Sequence, residues 1–216
     1  MVAIVVAGFW PSYFGPMLQG RIARPAIIQV HGIVFVGWMA LLMTQVVLAA
    51  RGRMDLHRRI GRYGIAYGWL VVAAGLAVGP AASVIHIRAG EWTRDQGAGF
   101  LLTTFGDMVL FGGCFAAAVA YRARPEIHKR LMIAATVALL FAAVGRMQFI
   151  TSPPLAAVLW LSPLIAGMAH DWITSRRIHS AYIVATVVLF IGATRILFEQ
   201  SDLWLSISRP IIDALL

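Results

Sequence analysis

Residues 26–84 read AIIQVHGIVFVGWMALLMTQVVLAA–RGRMDLHRR–IGRYGIAYGWLVVAAGLAVGPAASV. Two apolar runs, Ala26–Ala50 and Ile60–Val84, flank a turn that carries Arg51, Arg53, Arg58 and Arg59. Each run is long enough to cross a hydrocarbon core of roughly 30 Å at about 1.5 Å per residue. No water inside a bilayer can satisfy backbone N–H and C=O groups, so such runs must be helices. The pair reads as a membrane hairpin with its charged turn in the headgroup layer.

The pattern continues outward from this hairpin. Further spans are expected at Phe100–Tyr121, Leu131–Ile150, Leu155–Trp172 and Ala181–Phe198. The opening stretch, 2–18, is interrupted by Gly8, Pro11, Gly15 and Pro16, which predicts a kinked span or a re-entrant segment. The tail from Glu199 to Leu216 mixes apolar and polar residues and is expected along the interface. Of the 216 residues, 60% are hydrophobic and only 12% charged, with a mean hydropathy of +0.81. A soluble domain of this size needs far more polar cover. The fold class is therefore an all-α integral membrane protein, with about seven transmembrane helices in a bundle and one domain over residues 1–216. Cys114 is the one cysteine, which leaves no internal disulfide or cysteine metal site; it is expected as a packing residue. The N-terminus lacks the basic region and cleavage site of a signal peptide.

The net charge of +9 does not imply nucleic acid, because the basic residues fall in short clusters between apolar runs. Arg51, Arg53, Arg58 and Arg59, then Arg122, Arg124, Lys129 and Arg130, then Arg176 and Arg177 lie on one side. Arg21, Arg24, Arg88 and Arg94 lie on the other. The bias puts the first group in the cytoplasm, the N-terminus inside and the C-terminus outside. The expected location is a bacterial cytoplasmic membrane.

The turn at 51–60 recurs at 122–131. Both fit R-x-R-x-[DE]-[LI]-H-[RK]-R-[IL], which places His57 and His128 at equivalent positions. This suggests a duplicated helix pair, with halves at about 26–84 and 100–150. Arg176-Arg177-Ile178-His179 is a fainter echo. Duplicated membrane segments often place a site at their interface. The plainer reading is that each motif anchors a helix, with arginines at the headgroups and the acid at the helix start.

His31, Gln45, the His57-Arg58-Arg59-Ile60-Gly61-Arg62 turn, the His128-Lys129-Arg130-Leu131-Met132 turn and Arg146 together resemble an uncharacterised bacterial multipass family built on a domain of unknown function. The resemblance covers roughly His31 to Arg146. It implies a helical bundle in the cytoplasmic membrane and brings no activity with it. The arrangement is also loosely similar to two-haem b-type membrane cytochromes, with one departure: those need two histidine pairs at matched depth, and one is evident here.

Three constellations could carry chemistry. Below His57, Gly61, Gly64, Gly68, Gly75 and Gly79 share one helix face; Met132, Ala135, Leu139, Ala142 and Arg146 continue the face of His128. A haem b held by His57 and His128, with Arg58 and Arg146 near its propionates, fits that pattern. Ordinary small-residue packing is the competing explanation of the glycines. Second, Asp107, Arg146 and Arg195 are expected at similar depth, with Asp107 paired to Arg146 and Arg195 to Glu199. A structural salt bridge weighs equally with a functional role there. Third, an outer polar pocket could gather His31, His86, Asp107 and Arg195, with zinc as the alternative ion, although the ligand spacing for it is weak. A hydrogen bond to a neighbour is the expected fate of His86.

Three functions follow as expectations. The lead is a haem-binding redox protein exchanging electrons with a quinone or a partner protein. The rivals are an accessory subunit of a larger membrane complex, and a metal-dependent membrane hydrolase acting on lipid. Lipids are expected partners in every case and nucleic acid in none.

Overall fold

The computed structural model describes residues 1–20 and 25–216, and the elements among them are all helical. In chain order they are α1 (Val2–Phe9), a π-helical turn (Trp10–Phe14), α2 (Gly15–Leu18), α3 (Ala26–Ala50), α4 (Met54–Arg88), α5 (Arg94–Ala120), α6 (Pro125–Val144), α7 (Pro153–Ser175), α8 (Ser180–Ala193) with a 3-10 continuation (Thr194–Phe198), and α9 (Asp202–Asp213). Among the described residues, six helices, α3 to α8 with its continuation, are long and apolar enough to cross a membrane. Ile33, Val109, Phe149, Ile173 and Leu197 are each more than two-thirds exposed. In water such surface would drive aggregation, whereas lipid tails cover it without cost. The chain is a multi-pass, all-α integral membrane protein. Arg21 and Arg24, which enter the charge bias, lie outside the described residues.

Two elements, α4 and α6, differ from expectation, and the opening segment takes a definite form. The opening segment runs helical from Val2 to Leu18: Pro11 lacks an N–H, and the helix passes it in the wider π turn rather than breaking. α4 continues through Pro80 to Arg88, so its 35 residues reach about 50 Å and carry His86 on the same helix as His57. α6 ends at Val144, with Gly145 as its cap, so Arg146 occupies a turn rather than the helical face below His128.

The helices divide into two compact units, Met1–Ala23 with Val109–Thr194, and Arg24–Met108 with Arg195–Leu216. The first unit is centred on α6, which packs against α1, α7 and α8. Small buried residues, Ala134, Ala135, Ala138 and Ala143, allow those close approaches. The Trp160 indole donates to the Val137 carbonyl at 2.7 Å, so its polar edge is satisfied inside the apolar layer. In the second unit α3 and α4 form the hairpin read from the sequence. Trp38 of α3 is buried, and the Tyr67 hydroxyl of α4 donates to the Val34 carbonyl of α3 at 3.0 Å.

The tail is an ordered element of the second unit. Leu205 and Ile212 of α9 share a buried cluster with Ala98 and Leu101 of α5. Arg209 grips Asp95 through two bonds of 2.7 and 2.9 Å, and Arg94 meets Asp213 at 3.2 Å. The Asp95 carboxylate raises the affinity of Arg209 for its proton, first through those hydrogen bonds and then through their opposite charges. Arg88 donates to the Leu216 carbonyl at 2.8 Å, so the C-terminus lies at the same end of the unit as the α4–α5 turn.

Candidate functional site

The two repeated turns fold alike. In each, the histidine backbone N–H bonds the arginine carbonyl four residues back, His57 to Arg53 and His128 to Arg124, both at 3.0 Å. An acidic residue, Asp55 or Glu126, occupies the first helical turn, where it offsets the positive end of the helix dipole. Each imidazole then reaches back to the preceding helix. His57 Nδ1 lies 3.3 Å from the Gln45 carbonyl, and His128 Nδ1 lies 2.8 Å from the Ala118 carbonyl. A carbonyl only accepts, so Nδ1 carries the proton in both rings and Nε2 of the neutral ring keeps its lone pair. The histidine thus staples its turn and retains one basic nitrogen. His179 is wired the other way. Its Nδ1 accepts from the Ala181 N–H at 3.1 Å and caps α8, which leaves Nε2 protonated in the neutral ring. The third echo of the motif is therefore a helix cap and not a third copy of the device.

The glycine face below His57 is occupied by protein. A Cβ at Gly61 would touch Gln45 Oε1 at 3.5 Å, and one at Gly64 would touch Leu41 at 3.4 Å. At Gly75 it would collide with Met108, and at Gly79 with Thr104. The glycines let α4 meet side chains of α3 and α5, as small residues commonly do in membranes. The porphyrin cradle expected on this face is absent. What remains compatible with a haem is the donor chemistry: two imidazoles, each with Nδ1 on a backbone carbonyl and Nε2 unspent, the usual wiring of a metal-ligating histidine. His57 and His128 belong to different units, and each ring is half-buried. Arg58 is exposed beside His57. Arg146 donates to the Ala142 carbonyl at 2.7 Å and lies 4.8 Å from the centre of the Phe9 ring.

Among the described residues, two embedded ion pairs are present. Asp107, midway along α5, accepts from Arg195, which also donates to the Thr103 carbonyl at 3.3 Å. Arg195 lies directly on Gly106, where any side chain would displace it. One turn along, the Thr103 hydroxyl donates to Glu199. The expectation that Arg195 pairs with Glu199 thus gives way to a link between α5 and the 3-10 segment. The second pair joins α6 to α7. Arg130 donates to Asp171 through Nε at 3.0 Å and a terminal nitrogen at 2.5 Å, and to Glu126 at 2.6 Å. The Asp171 carboxylate also accepts the His179 backbone N–H at 3.1 Å, and the Arg130 guanidinium lies 5.3 Å from the Tyr182 ring centre. Sequence reading missed this knot. Its one signal was a carboxylate, Asp171, inside an apolar run.

In the outer set each histidine lies against an aromatic ring. Asp107 and Arg195 are together. His86 bonds Glu91 at 2.5 Å and stacks on Trp92, as expected of a histidine satisfied by a neighbour. His31 lies against Phe35, with ring centres 4.1 Å apart. Among the described residues there is no group of three His, Cys, Asp or Glu side chains placed to share a metal ion. The geometry defines a helical membrane protein with two histidine-stapled turns and two embedded ion pairs. No family model, characterised protein or solved structure matches the chain.

Proposed function

We propose that this protein is a b-type haem electron carrier of a bacterial cytoplasmic membrane; His57 and His128 are the residues that would offer an imidazole to the iron, and a quinone is the candidate redox partner. The observation that supports it is the shared wiring of the two histidines, each anchored through Nδ1 with Nε2 unspent. A haem held there would supply one-electron transfer. The contribution of the chain is to fix both ring orientations from the backbone. The basic turns at 51–59, 122–130 and 176–177 face the cytoplasm in this reading, with the N-terminus inside and the C-terminus outside, on the charge bias. A second reading is favoured by the filled glycine face: an accessory subunit, without chemistry of its own, that packs in a larger membrane complex. A reduced-minus-oxidised absorption spectrum of protein produced with ample haem separates them. A b-type band supports the first reading, and a colourless protein that retains a partner supports the second.

A further inference from the structure

The two copies of the repeated turn differ in how their charge is met. At 122–131 the cations are engaged by the protein itself. Arg122 donates to the Val119 carbonyl at 3.3 Å, Arg124 lies over Tyr121, Lys129 meets Glu126 at 2.8 Å, and Arg130 meets Glu126 and Asp171. At 51–62 the side chains of Arg51, Arg53, Arg58, Arg59 and Arg62 make no ion pair or hydrogen bond among the described residues. All five are exposed, and the one carboxylate within the turn is Asp55. Arg59 occupies the position where Arg130 takes a two-pronged carboxylate. It also heads a continuous exposed face of α4, running through Tyr63, Ala66, Leu70, Ala73 and Ala77 at alternating spacings of four and three. Tyr63 is 76% exposed and Leu70 48%. Guanidiniums on top of an apolar helical strip present two chemistries in the order a phospholipid has them, phosphate first and acyl chain beneath.

We infer that the Arg59–Arg62 end of α4 is a binding site for an anionic phospholipid, whose phosphate the guanidiniums hold and whose acyl chain lies along Tyr63 and Leu70. Arg59 and Arg62 are not candidate haem residues, so this site stands or falls apart from the haem reading. The test is lipid titration of the detergent-purified full chain, read by thermal shift and by native mass spectrometry of retained lipid. Cardiolipin and phosphatidylglycerol should raise the melting temperature and stay bound, while phosphatidylcholine and inorganic phosphate should do neither. R59Q/R62Q should weaken binding of the anionic lipid by roughly fivefold per guanidinium removed. R122Q/K129Q, at the engaged turn, should bind it as wild type does. Equal shifts with phosphatidylcholine, a shift with phosphate alone, no shift at all, or equal losses in the two double variants would each overturn the site.

Discussion

Replacing Asp171 by alanine removes three hydrogen bonds in one step: two from Arg130 and one from the His179 backbone N–H. The side chains of Arg130 and Asp171 are each 7% exposed, so neither can turn to water in place. Breaking such a pair costs about 3–5 kcal/mol, because the remaining charge stays buried. Glu126 still holds Arg130 at 2.6 Å, which points to the lower end, about 3 kcal/mol, or roughly a hundredfold in the unfolding equilibrium. Asp171→Asn keeps an acceptor for the His179 N–H and should lose about half as much. R130M/D171L, which removes both charges and leaves apolar bulk, should recover most of the loss. Unfolding in mixed micelles, followed through tryptophan fluorescence, measures all three. If Asp171→Ala unfolds within about 0.5 kcal/mol of wild type, or R130M/D171L is no better than Asp171→Ala, the pair is not buried as described.

The remaining predictions use the same assay or simple labelling. Asp107→Ala should destabilise by about 2–4 kcal/mol, because it removes the carboxylate that Arg195 holds in the membrane layer; a variant as stable as wild type refutes the embedded pair. Gly106→Leu should cost a comparable amount by displacing Arg195, and should cost little once Arg195 is already alanine; equal losses in the two backgrounds would deny the contact. In a Cys114→Ala background, cysteines at Arg53 and Arg124 should resist membrane-impermeant reagents in intact cells while one at Glu91 reacts. Labelling of the first two would invert the orientation.

Fold was legible in this sequence where one physical rule dominates. The α3 run at Ala26–Ala50 ends where its apolar residues end, and the structure gives the same bounds. Helix ends next to proline and glycine were harder. Pro80 and Pro11 are both passed without a break, because the surrounding helix satisfies the backbone that proline leaves bare. The site was legible only in part. The repeat singled out His57 and His128 correctly as equivalent, but a pattern of letters does not say which ring nitrogen is used, and the backbone carbonyls of Gln45 and Ala118 carry no sequence signal. The glycine face shows the same limit. Its spacing made it a face, whereas its occupants, Leu41, Gln45, Met108 and Thr104, come from other helices. Pairing of the charged residues depended on contacts distant in sequence, as with Arg130 and Asp171, and depth counting did not single out Arg195 as a partner of Asp107.

The proposed function rests most directly on the spectrum of three proteins compared side by side: wild type, His57→Asn and His128→Asn. Asparagine can still donate an N–H toward the Gln45 or Ala118 carbonyl, so each turn keeps its staple while the imidazole is lost. The haem reading predicts a reduced-minus-oxidised b-type band in wild type, and its loss or conversion to a high-spin form in both variants, with melting temperatures close to wild type. A colourless wild type produced with ample haem, or a band left intact in both variants, would contradict it.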